Sequence, residues 1–145
     1  MRWTNRRARP PFPPCHHRGF APPATRPMPY VVTQSCIQCK YTDCVAVCPM
    51  DCFHAGPNFL VIDPDACIDC SICAPECPVG AIYAEADVPA DQREFIALNA
   101  QLSRRPDWPR LTQVQPPLAD HARWAQVKDK RSTLLIAPEP GTQTQ

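Results

Sequence analysis

The apolar residues of this chain fall in short bursts, not in long periodic faces, and the bursts predict short elements. Tyr30-Val31-Val32-Thr33 and Ala81-Ile82-Tyr83 are rich in β-formers and read as strands that open and close one unit. Between them, Cys52-Phe53-His54, the turn Gly56-Pro57-Asn58 and Phe59-Leu60-Val61-Ile62 read as a hairpin, after which Asp63-Pro64-Asp65 turns the chain. Helical turns are predicted over Asp43–Cys48 and Ile72–Cys77. Each is stopped by Pro49 or Pro78, since the residue before a proline avoids the helical region. From Asp91 the period changes. Phe95, Leu98 and Leu102 lie at helical spacing, and Asp91 with Glu94 resembles a capping box, so this helix should lay its apolar side on the preceding unit. Residues 105–145 are punctuated by prolines and predict an irregular wrap anchored by Trp108 and Trp124, with a frayed tail. Val32, Val47, Ile62, Ile68, Ile72 and Ile82 are expected in the core.

The bursts divide the chain into three parts: a proline-rich extension over 1–27, a central unit over 28–90, and a helix with an irregular extension over 91–145 that packs on it. The extension carries six arginines and no acid, and nothing in it is periodic, so no packed element is expected there. Met28 stands just before the first strand. Translation from Met28, with the upstream part a start-site artefact, is the preferred reading; a disordered tail is the alternative. Cys15-His16-His17 in this part is a weak metal tract without a nearby fourth ligand.

The central unit holds nine of the ten cysteines, eight of them in two phrases and the ninth at Cys52. The first is Cys36-x2-Cys39-x4-Cys44-x3-Cys48-Pro49, and the second is Cys67-x2-Cys70-x2-Cys73-x3-Cys77-Pro78. The second is the bacterial iron–sulfur run, in which three close thiolates hold one cluster and the fourth reaches across to another. Cys67, Cys70 and Cys73 therefore share a cluster with Cys48, and Cys77 serves the first cluster. The repetition implies two clusters in a unit with a pseudo-twofold repeat. The first phrase carries two extra residues between Cys39 and Cys44, which breaks its loop. If one thiolate drops out, the product is a [3Fe–4S] cluster; the spacing does not say which cysteine is lost. Zinc modules pair Cys-x2-Cys with a distant second pair, not four cysteines in one run, so zinc is disfavoured.

Composition narrows the setting. No apolar run approaches the length of a membrane span, and the twin arginine Arg6-Arg7 is followed by prolines, not by the apolar core of a signal peptide. A reducing cytoplasm with metal-bound thiolates is the expectation. The net charge of +1 hides an asymmetry: from Met28 onward nine Lys or Arg face fourteen Asp or Glu. An acidic body suits transient docking to basic patches on redox proteins and argues against nucleic acid. No G-x-G-x-x-G fingerprint for a flavin or nucleotide is present, so enzyme chemistry is not expected.

The stretch from Val31 through Cys36-Ile37-Gln38-Cys39-Lys40-Tyr41-Thr42-Asp43-Cys44 to Cys48-Pro49 resembles the seven-iron bacterial ferredoxins. So do Gly56-Pro57-Asn58-Phe59-Leu60-Val61-Ile62-Asp63-Pro64 and Cys67-Ile68-Asp69-Cys70. The likeness covers residue 30 to about residue 104 closely and continues more weakly through Trp108 and Trp124. His54 departs from it, standing where an aromatic is common. The resemblance implies an α+β, ferredoxin-like dicluster fold and a soluble, monomeric electron carrier between a reductase and an acceptor. It implies [3Fe–4S] on Cys36, Cys44 and Cys77, [4Fe–4S] on Cys48, Cys67, Cys70 and Cys73, and free thiols at Cys39 and Cys52. It also suggests that Asp43 relays protons to the reduced three-iron cluster; a cap or a surface charge is the alternative. Two rival readings stay open: an eight-iron carrier in which Cys39 completes a second [4Fe–4S], and a relay subunit permanently bound to an oxidoreductase.

Overall fold

The computed structural model describes residues 28–136; the basic segment 1–27, with Cys15-His16-His17, and the tail 137–145 lie outside the described residues. Four three-residue strands appear where the bursts predict them. β1 (Tyr30–Val32) pairs antiparallel with β4 (Ile82–Ala84), with Val31 opposite Tyr83. β2 (Phe53–Ala55) pairs antiparallel with β3 (Leu60–Ile62), with His54 opposite Val61. Two helical turns, α1 (Asp43–Val47) and α2 (Cys73–Glu76), pack against each other. Both end as the prolines require. Cys48 and Cys77 are extended, at φ −75°, ψ 113° and φ −76°, ψ 115°.

The longest helix among the described residues, α3 (Glu94–Ser103), lies against β1 and β3. Phe95 and Leu102 are buried and Leu98 is half-buried, as their spacing predicts. The capping box is not formed. A 3-10 turn over Ala90–Gln92 runs straight into the helix, Arg93 takes the cap position without a side-chain bond, and Glu94 instead pairs with Arg131 at 3.0 Å.

Two-stranded sheets are marginal by themselves in water. Here a single buried side chain joins the two. Asn99 Oδ1 accepts the N–H of Val32 (3.1 Å) and of Ile62 (3.0 Å), while Nδ2 donates to the carbonyls of Val32 (2.9 Å) and Phe95 (2.7 Å). One amide therefore satisfies backbone groups of β1, β3 and α3 together. Around it the core is filled by Val32, Phe59, Leu60, Ile62, Phe95 and Trp108.

Past α3 the chain becomes a strap. Residues 109–111 run along the free edge of β2: the Ala55 N–H donates to the Pro109 carbonyl (3.0 Å) and the Leu111 N–H to the Phe53 carbonyl (2.8 Å). Trp108 is the main anchor, fully buried, with its indole N–H on the Ile136 carbonyl at 2.9 Å. Gly56 makes room for it, because a Cβ there would lie 2.2 Å from the ring. Trp124, in the short helix α4 (His121–Trp124), is only half-buried and anchors less than expected. Ile68 and Ile72 correct the predicted core: they are 51% and 47% exposed. They alternate with Cys67, Cys70 and Cys73, so turning the cysteines inward turns these aliphatics outward.

Asn99→Ala is expected to lower the unfolding free energy by about 2–4 kcal/mol, since it orphans buried donors and an acceptor that cost about 1–3 kcal/mol apiece. Asn99→Leu should not recover the loss, because it restores volume without the hydrogen bonds. Denaturant midpoints of the two variants against wild type check this.

Candidate functional site

The two cysteine phrases are shaped by the same backbone torsions. In each, the residue before the second cysteine has positive φ: Gln38 at 67° and Asp69 at 59°. So does the residue after it, Lys40 at 48° and Ser71 at 62°. So does the third residue past the closing cysteine, Asp51 at 49° and Gly80 at 61°. Left-handed backbone costs an L-residue about 1 kcal/mol, and here five non-glycine residues adopt it. Its effect is to curl the loop so that successive N–H groups turn inward, the geometry of an anion-binding nest.

Several N–H groups are aimed at sulfur. Ala81 N–H donates to Cys77 Sγ at 3.3 Å. The Leu60 backbone eases ionisation of Cys36, and the Tyr30 and Asp69 backbones ease that of Cys67. Such bonds favour the charged thiolate. Burial opposes it. Burial pushes the Cys36 and Cys73 thiols up to about 12 and holds Cys44 above the ordinary range.

The electrostatic neighbours fall into two groups. Cys36 feels the charge of Cys77 and then of Cys39, and Cys44 feels Cys36 and Cys77, then Cys73. Cys73 feels Cys67, Cys70 and Cys48. Cys52 stands beside the second group. Its sulfur lies 3.3 Å from Cys48 Sγ, and it shares its proton with Cys67. That shared proton raises Cys52 and lowers Cys67.

Cys39 is turned elsewhere. Its thiol donates to the His121 carbonyl (3.4 Å), and its sulfur accepts from Lys130 Nζ at 3.5 Å. Lys130 is fully buried and also donates to the Ser35 carbonyl at 2.5 Å. The two extra residues of the first phrase are held by the same strap. Thr42 Oγ1 donates to the Gln115 carbonyl (2.6 Å) and accepts the Gln115 N–H (2.8 Å), and Tyr41 OH meets His121 Nδ1 at 2.5 Å. Asp43 opens α1, is exposed, and makes no ion pair among the described residues. Lys130 carried no signal in the sequence. Asn99 did carry one: it stands four residues after Phe95 and three before Leu102, a polar residue on an apolar stripe.

Among the described residues no three His, Cys, Asp or Glu side chains form a single-ion site. The donor set fits a larger body. Thiols in two groups, nest-shaped loops and N–H groups directed at sulfur suit iron–sulfur clusters, whose negative charge such amides offset.

Residues 60–83 match the 4Fe-4S binding domain family, and residues 93–135 match a domain of unknown function, DUF3470. Over 93 residues, 64% of this chain and 80% of the relative, the chain is 50% identical to Ferredoxin-1 of Caulobacter vibrioides. Over 103 residues, 71% of this chain and 92% of the relative, it is 42% identical to the ferredoxin of Rickettsia felis. The chain belongs to the ferredoxin family. Ferredoxins are iron–sulfur electron carriers, not enzymes. No helix among the described residues of this ferredoxin is long and apolar enough to cross a membrane.

The raised thiols give the cluster-free ferredoxin a pH signature. A thiol raised in the folded chain favours folding while it stays protonated. That contribution is complete below the ordinary value of 9.0 and is lost as pH climbs toward about 12, where Cys36 and Cys73 ionise. Apoprotein melting temperature should therefore fall across this window. Cluster-loaded protein, in which thiolates bonded to iron carry no proton to lose, should lose less stability across the same window. Thermal melts of both forms at stepped pH check the difference.

Proposed function

We propose that this ferredoxin carries one [3Fe–4S] and one [4Fe–4S] cluster and shuttles single electrons between a reductase and an acceptor that dock transiently on its acidic body. In this reading Cys36, Cys44 and Cys77 hold the three-iron cluster, and Cys48, Cys67, Cys70 and Cys73 hold the four-iron cluster. Cys39 and Cys52 remain thiols. The observation that carries the reading is the engagement of Cys39 by the strap. It leaves the first group one thiol short, while the second group is complete with Cys48. The matched torsions of the two phrases support a pseudo-twofold dicluster arrangement of the ferredoxin-like type. The clusters supply the redox chemistry when bound. The chain's part is to place thiolates, direct N–H dipoles at sulfur and exclude water, the levers that set potential.

Iron and sulfide analysis of anaerobically purified protein should give about seven irons and eight sulfides per chain, with a three-iron EPR signal in the oxidised form. About eight irons with no such signal before air exposure means the eight-iron reading is correct instead.

Asp43 completes the proposal. An electron added to a buried cluster raises its negative charge, and a carboxylate one residue from Cys44, exposed at the mouth of α1, is placed to bring a compensating proton. The three-iron potential should then fall as pH rises, by at most about 59 mV per unit for one electron and one proton. Asp43→Asn should keep both clusters but slow the proton-coupled step, leaving the four-iron couple little changed. Identical voltammetry in both proteins makes Asp43 a surface charge only.

A further inference from the structure

We propose that the strap, which lies within the segment matching a domain of unknown function, fixes the nuclearity of the first cluster, and that Lys130 does so by holding the Cys39 thiol out of reach. This rests on the reading of the first cluster as three-iron.

The two phrases share their torsions yet differ in support. The first loop is bound by the strap at several points: the Leu118 N–H donates to the Cys39 carbonyl (3.1 Å), Gln115 holds Thr42, and His121 meets Tyr41. Among the described hydrogen bonds, residues 105–136 make none to residues 67–77. The brace therefore serves only the loop that the two extra residues have broken.

Within that brace, both bonding capacities of the Cys39 thiol are used. Its S–H is on the His121 carbonyl and its lone pair is on the Lys130 ammonium. Neither Cys39 nor Lys130 is exposed. For Cys39 to swing to a fourth iron, it must abandon a fully buried cation that has one other partner among the described residues, the Ser35 carbonyl. Water does not reach Lys130 to replace the lost partner, so the swing is opposed by the cost of an under-bonded buried charge. The spacing Cys36-x2-Cys39 is the same as in the second phrase. Spacing alone therefore does not withhold this thiol.

Lys130→Met removes the hold. The test is performed on full-length, cluster-loaded protein incubated with ferrous iron and dithionite. Conversion adds one ferrous ion and one electron, both from the reagents. The Cys39 thiol releases one proton to solvent as its sulfur bonds the new iron. Lys130→Met should convert about tenfold faster than wild type or more, the scale of a lost hydrogen bond to a charged group. The readouts, taken after excess reagents are removed and the protein is reoxidised, are loss of the oxidised three-iron EPR signal and a gain of about one iron per chain. The double variant Lys130→Met, Cys39→Ser should stay three-iron. If the methionine variant fails to assemble, Lys130→Gln carries the same expectation, since its amide offers no charge to the thiol. Conversion of Lys130→Met or of Lys130→Gln no faster than wild type overturns the proposal, and so does conversion of the double variant. Wild type that lacks a three-iron signal from the outset overturns the underlying reading instead, an outcome visible before any variant is made.

Discussion

Everything in this small fold hangs on Asn99 joining two sheets that could not stand apart. Three-residue strands offer few ladder bonds, and a two-stranded pair has two edges of its own to satisfy. An amide reaching from α3 satisfies the N–H and C=O of Val32 and the N–H of Ile62 at once, and it also accepts none of its cost from solvent because it is buried. With β1 and β3 pinned to one helix, the loops that follow them are fixed relative to each other. The first cysteine loop follows β1, and the second follows β3. The hydrogen bonds of Asn99 thus tie together the strands from which both cysteine loops emerge.

From that frame the two loops diverge. They have the same left-handed residues and the same extended cysteine before proline, so their local conformation is one motif written twice. What differs is cover. The first loop lies under the strap, and its Ile37 and Cys39 are sealed from water. The second carries Ile68 and Ile72 at the surface. Burial of charge is costly, and the side under cover is also the side given a buried cation. Lys130 is close enough that its charge eases the ionisation of Cys36. The open loop has no such cation among the hydrogen-bonded partners described for it.

The sequence made the strands, the helical turns and their proline stops readable, because those follow from local chemistry: β-branched bursts, turn residues and the steric rule before proline. The grouping of thiols was expected from spacing for the second phrase, and from family resemblance for the first. The errors lie where local rules meet tertiary demands. Asp91 and Glu94 had the spacing of a cap, but Glu94 found Arg131 across the strap. Ile68 and Ile72 looked like core and were displaced by the cysteines beside and between them. Lys130 and His121 were unreadable because their partners lie 91 and 82 residues away and no periodicity marks them.

The strap shows why such residues escape a reading of pattern. It has almost no regular structure, so it cannot be held by ladders of its own. It is held by single side chains: Trp108 in the space left by Gly56, Thr133 on the Lys130 carbonyl, and Asn58 tied to both Thr133 and Leu135. Each tie fixes one point of the wrap, and further ties from Gln115, Leu118, His121 and Lys130 converge on residues 35–42. An irregular segment with many specific ties is stiff where it is tied, and its stiffness is spent on the loop beneath. The two residues that break the first cysteine phrase supply Tyr41 and Thr42 to that contact. The break in the motif and the strap that covers it are therefore one feature, since neither makes its hydrogen bonds without the other.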